Sequence, residues 1–179
     1  MIDRILGEIK KSIDNECFIA ALALALTLPD ICGKAEYPDD SIAGRYIRWY
    51  NTYVGQYERP SDPYGSDMPY TSGELIYNLR NSLLHQGTPN IDAKKVKEER
   101  CKVDKFILTI SDVEDAGLSR VSYGKEYSVE ERVLEVNIIN LCSRLTAAVK
   151  TYYAHNQSKF SFIRFELDDK RNLYSDLFS

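Results

Sequence analysis

TSGELIYNLRNSLLHQGTP, residues 71–89, carries both ends of a helix. Thr71 and Glu74 stand at capping-box spacing, and Gly87 followed by Pro89 supplies a stop, so a helix is predicted from Ser72 to Gln86. At about 100° per residue, Leu75, Ile76, Leu79 and Leu83 share one face. Glu74, Asn78, Asn81 and His85 line a polar stripe on another. Arg80 stands about 140° from His85, but its long side chain can lean toward Asn81.

Working upstream, residues 56–70 hold three prolines and read as a loop. A second helix is predicted from the cap Ser41 to Val54, stopped by Gly55. Its aromatic face, Tyr46, Trp49, Tyr50 and Tyr53, reads as packing area rather than a base-stacking platform. The apolar run CFIAALALALTL, residues 17–28, reads as a helix buried on all sides, ended or bent by Pro29. A helical turn and loop follow it. Ahead of the run, Ile2, Ile5, Leu6, Ile9 and Ile13 predict an amphipathic helix over residues 2–14. The run is too short to span a bilayer, and the acidic segment before it is unlike the basic start of a signal peptide.

Downstream, AKKVKEERCKVDK, residues 93–105, reads as a short helix or a loop. KFILTI (105–110) and RVSYGKEY (120–127) are predicted to pair as a peripheral β-hairpin. Ser128 and Glu131 form another capping box, predicting a long helix through Leu134, Ile138, Leu141, Leu145, Ala148 and Tyr152. The segment after Asn156 reads as an added strand or an extended tail. The expected architecture is mainly all-α: a helical bundle over residues 1–156 that includes the hairpin near 105–127, with residues 157–179 as a C-terminal extension.

The chain has 179 residues, 44% of them hydrophobic, enough for one core without disulfides or a structural metal. A net charge of −4 argues against coating long nucleic acids through bulk charge, while leaving short RNA contacts open. Cys17, Cys32, Cys101 and Cys142 are scattered without metal-ligand spacing, so reduced thiols in a cytoplasmic protein are expected, with neither metal nor cofactor.

His85 lies in the last helical turn, where the carbonyl end of the helix favours the imidazolium form and suits a proton donor. Arg80 offers a permanent charge and a fork of donors matching the equatorial oxygens of a phosphate under attack. Together they can cut RNA without a metal: a base removes the 2′-hydroxyl proton, the oxygen attacks the adjacent phosphate, and an acid protonates the leaving 5′-oxygen. One such histidine does not easily serve as base and acid at once, so a symmetric dimer would complete the site.

Arg80-Asn81-x3-His85 resembles the R-polar-x3-H motif of the HEPN superfamily of helical bundles, which includes metal-independent ribonucleases of toxin–antitoxin and antiviral systems. ALALTLPDICGKAEYP, RYIRWYNTYV and GELIYNLRNSLLHQGTPNI also resemble small stand-alone bacterial HEPN proteins, over roughly residues 17–92. The resemblance implies phosphate stabilisation by Arg80, proton transfer by His85 and an orienting role for Asn81. It also implies a homodimer with facing motifs, and an antitoxin as a further partner. The alternative is a non-catalytic HEPN module that binds a nucleotide, RNA or protein. Lys94, Lys95, Lys97, Arg100, Lys102 and Lys105 either steer RNA or form a solvated face with Glu98, Glu99 and Asp104. No GxSxG, HExxH or P-loop pattern supports another hydrolase site.

Overall fold

The isoleucines near the N-terminus form α1 (Ile2–Asp14) as their spacing predicts, with Ile2 and Ile9 buried. The computed structural model describes residues 1–59, 68–111 and 118–164. Two helices follow α1, namely α2 (Phe18–Ala25) and α3 (Leu28–Glu36), separated by a turn at Leu26 and Thr27. Pro29 sits in the first turn of α3, where its missing N–H leaves no bond unmade, so it begins a helix where a loop was expected. By length and composition, Phe18–Glu36 is apolar enough to cross a membrane. In the fold this stretch packs against α1, α4 and α7. Ala21, Leu22 and Ala25 are fully buried but Ile19 is 56% exposed, so α2 presents one face outward and is not enclosed on all sides.

Ser41 caps α4 (Ile42–Tyr50), its Oγ accepting the Gly44 N–H at 3.1 Å. Gly55 does not stop the chain. The helix widens into a π-turn over Asn51–Gly55 and continues through a short α5 (Gln56–Glu58), which takes the start of the expected loop; residues 60–67 lie outside the described residues. Tyr46, Trp49 and Tyr50 are fully buried, as packing area should be, and Tyr46 donates to the Leu26 carbonyl at 3.0 Å.

The framed helix is α6 (Gly73–Gln86). Its cap is Ser72, whose Oγ accepts from the Leu75 N–H, while Thr71 donates to Glu58; the expected Thr71–Glu74 box does not form. Gly73 is small because α4 is close: a Cβ there would stand 2.7 Å from the Ile47 carbonyl oxygen. Gly87 ends α6 in the left-handed conformation (φ 68°), freeing the Gly87 and Thr88 N–H groups to bond Leu83 and Ser82 carbonyls.

Downstream, β1 (Lys105–Thr109), β2 (Ser119–Tyr123) and β3 (Val129–Asn137) form a sheet in the order β1-β3-β2, and α7 (Ile138–Asn156) follows directly. The expected hairpin is absent. Both outer strands pair with β3, β1 in parallel from Lys105–Val133 to Thr109–Asn137 and β2 antiparallel. Ser128 and Glu131 therefore do not open the last helix; Val129, Val133 and Val136 favour extended backbone, and Val133, Leu134 and Val136 are buried. The true cap is Asn137, whose Oδ1 accepts from Ile139 and Asn140 while its Nδ2 donates to the Ser111 carbonyl at 2.8 Å. Residues 112–117 lie outside the described residues.

Ile138, Leu141, Cys142, Leu145, Val149 and Tyr152 give α7 its buried stripe, which packs on α1, α2 and α3. The molecule is thus mostly helical with a small three-stranded sheet. Among the four free cysteines, Cys17 is exposed; burial raises the Cys32, Cys101 and Cys142 thiols, the last to about 12. After Asn156 a 3-10 turn (Gln157–Phe160) buries Phe160, and the rest of the expected strand or tail, residues 165–179, lies outside the described residues.

Glu36 fastens this turn to α3, accepting from Lys159 Nζ and Tyr152 Oη, each at 2.5 Å. The Lys159 hydrogen bond, helped by that from Tyr152, holds the Glu36 carboxyl below the ordinary carboxylate range. A lowered folded-state value contributes stability above the unfolded value and loses it as pH falls through the folded one. Urea midpoints measured between about pH 6 and pH 3 are therefore expected to decline, and Glu36→Gln to flatten the acidic part of that decline. Equal slopes for wild type and variant would disprove this linkage.

Candidate functional site

The polar stripe of α6 divides in two. Glu74 Oε2 accepts the Lys97 N–H at 2.7 Å, and Asn78, 4% exposed, donates to the Asp92 carbonyl at 2.7 Å and accepts from the Asp92 N–H at 3.4 Å. These two residues hold the 92–97 segment against the helix. Asn81 and His85, one and two turns further on, remain accessible. The adjoining basic cluster is largely internal in its pairing, with Lys95 on Asp92, Arg100 on Glu98 and Lys102 on Glu99. That favours the solvated-face reading over an RNA-steering one.

The structure brings Arg80, Asn81 and His85 together. Arg80 Nη1 donates to Asn81 Oδ1 at 2.9 Å and lies 3.2 Å from His85 Nε2. The guanidinium has only donors, so a hydrogen bond across this contact uses the Nε2 lone pair. His85 is exposed, while the Arg80 side chain is 18% exposed and its Nε is buried without a hydrogen-bond partner among the described residues.

Two residues that sequence reasoning missed complete the arrangement. Asp30, in the first turn of α3, stands with Oδ2 3.8 Å from Arg80 Nη2. Its Oδ1 accepts from Arg45 Nε at 3.1 Å and Nη2 at 3.0 Å. One carboxylate is thus shared by two guanidinium groups, leaving one unit of positive charge facing the surface beside His85. The helix pair permits this because Gly33, one turn after Asp30, lies under the α4 backbone; a Cβ there would be 2.7 Å from the Arg45 carbonyl oxygen. The only signal in the sequence is that Asp30 and Gly33 share a face of one helix.

No family model, curated protein or solved structure matches this chain. The site therefore rests on its own geometry. The clefts of about 600, 420 and 370 Å³ are lined by other residues, and neither Arg80 nor His85 borders any of the three. The second histidine, His155, lines the largest of these clefts, on α7. Among the described residues, no group of three or more His, Cys, Asp or Glu side chains is placed to hold a metal ion.

This geometry can bind an anion and move a proton. Nη1 has two N–H bonds, now spent on Asn81 and His85; a phosphate oxygen arriving at the guanidinium would take the place of the imidazole and release the Nε2 lone pair. His85 would then be free to act as a base once such an anion is bound.

Proposed function

We propose that the chain is a HEPN-like, metal-independent RNA endonuclease of the toxin or antiviral-defence type. The 3.2 Å approach of Arg80 Nη1 to His85 Nε2 on an accessible helix end is the observation that carries this reading. Arg80 holds the non-bridging oxygens of the scissile phosphate and offsets the charge that grows on them. His85 takes the proton of the 2′-hydroxyl, the 2′-oxygen bonds to phosphorus, and the bond to the 5′-oxygen breaks. The products are a 2′,3′-cyclic phosphate and a 5′-hydroxyl once the leaving oxygen is protonated. His85 of the partner subunit in a homodimer supplies that proton, and the open surface around each pair becomes a cleft when two copies face one another. A cytoplasmic location and an antitoxin that covers the site belong to the same proposal.

The test is incubation of the purified protein with single-stranded RNAs in EDTA. Cyclic-phosphate ends are expected, and intact RNA across the whole substrate range would overturn the reading. A second reading, a non-catalytic binding module, is favoured by one observation: both Nη1 protons of Arg80 are already engaged within the chain. It predicts RNA retention without cleavage, and a dimer mass that changes in His85→Ala.

Asp30 positions Arg80 and does not touch the substrate. Asp30→Asn is expected to lower the single-turnover cleavage rate by about 10- to 100-fold, the scale of a misplaced reacting group. RNA binding should be no weaker, because a negative charge is removed from the site. A parallel loss of binding and rate would show that Asp30 merely supports the fold.

A further inference from the structure

The cleft of about 600 Å³ lies between the π-turn Asn51–Gly55 and α7, and its size is that of a small-molecule site. A π-turn is a local departure from the better-bonded α-helix and recurs where a helix is shaped for a ligand. Here it contributes Tyr53 and Val54 to one wall, while Ala147 and Ala148 make the opposite wall low and apolar. Tyr57, at the rim, is 79% exposed, a large ring with little covering it.

Three polar groups of this cleft are each held by a backbone carbonyl one turn away. Gln56 Nε2 donates to the Thr52 carbonyl, His155 Nδ1 to the Thr151 carbonyl at 2.9 Å, and Asn156 Nδ2 to the Tyr152 carbonyl at 2.9 Å. A carbonyl oxygen only accepts, so each contact fixes a nitrogen-bound proton at that atom. Gln56 Oε1, Asn156 Oδ1 and, in the neutral ring, His155 Nε2 are left as acceptors, and each amide keeps its second N–H as a donor. At one end Arg144 is paired with Glu58, so its charge is cancelled locally and an ionic ligand has no free counter-charge there. Aromatic walls, amides offering a donor beside an acceptor, and no net charge together select a neutral, flat ligand that carries N–H donors next to ring-nitrogen acceptors.

The geometry points to this cleft as a binding site for a neutral, planar, amine-bearing heteroaromatic of the aminopurine class, separate from the Arg80–His85 site. Such a ring lies against Tyr53 or Tyr57 and gives its amine protons to the acceptors around it. Its source is either a free nucleoside or a base of a single strand.

Saturation-transfer NMR on the full chain tests this with adenosine as probe, benzoate as the anionic control, and a short adenine-containing RNA as the third arm. Adenosine is expected to bind and benzoate not. Thr151, exposed on α7, offers a place to fill the cleft without disturbing the core: Thr151→Trp should weaken adenosine binding at least about tenfold, or about 1.4 kcal/mol, at unchanged melting temperature. His155→Ala should also weaken it, through loss of the Nε2 acceptor. RNA binding that falls in parallel assigns the ligand to a strand, and RNA binding that does not assigns it to the free nucleoside. No transfer to adenosine at about 1 mM, or transfer that survives Thr151→Trp, would overturn the proposal.

Discussion

His85→Ala is expected to reduce RNA cleavage by about 100- to 10,000-fold, the range that a positioned proton-transfer group contributes. The circular dichroism spectrum and melting temperature should stay as in the wild type, because His85 is exposed at the last turn of α6 and its ring contacts Arg80 Nη1 at 3.2 Å. Arg80→Lys should lose a comparable factor although the charge is retained. An ammonium cannot hold Asn81 and a phosphate from a fixed plane as a guanidinium does. Single-turnover cleavage of a 5′-labelled RNA in EDTA measures both variants. Equal rates for His85→Ala and wild type would remove the imidazole from the chemistry, whatever Arg80 does.

The largest loss of stability is expected from Trp49→Ala, about 3–5 kcal/mol. Trp49 is fully buried, stacks on Tyr53 with ring centroids 5.0 Å apart and meets the edge of Tyr152 at 5.7 Å. Removing the indole leaves a cavity bounded by Tyr53 and Tyr152, each of which loses one of its ring contacts. Against a typical domain stability of about 5–15 kcal/mol, a loss of this size shifts the urea midpoint strongly and brings the variant near its folding limit. Trp49→Phe should cost distinctly less: it leaves a smaller void and removes the indole Nε1–H, which finds no acceptor among the described residues. Urea titrations followed by circular dichroism decide the order. If Trp49→Phe costs as much as Trp49→Ala, the packing account fails. The site depends on the same packing, because Trp49 anchors the helix that carries Arg45, and Arg45 holds Asp30 against Arg80.

Much of the helical framework was legible because its signals are local. Gly87 stops α6 through its own backbone, Ser41 caps α4 with its own hydroxyl, and the leucine face of α6 follows from spacing alone. Local signals also misled where two of them coincided. Ser128-x-x-Glu131 has the letters of a cap, and Leu134 continues the spacing of Ile138 and Leu141, but residues 129–137 are drawn into extension by partners on both sides. Asn137 is where one regime gives way to the other, and no neighbouring residue announces it. The hairpin failed for a related reason: β1 and β2 each look like half of a pair, and the strand that lies between them carries the spacing of a helix.

Within the candidate site, the chain order alone set Arg80, Asn81 and His85 on one helix and left His85 in its last turn. Whether the guanidinium turned toward the imidazole depended on the tertiary structure, since about 140° of helix separates them and the Asp30–Arg45 pair on the neighbouring helices sets a carboxylate beside the arginine. The same holds for Glu74 and Asn78, written in the stripe with His85 but taken by the 92–97 backbone. Spacing along a helix decides which residues can meet. Which of them do is decided by the segments that fold against that helix, because an ion pair or a buried amide bond forms only with whatever partner the packing brings within about 3–4 Å.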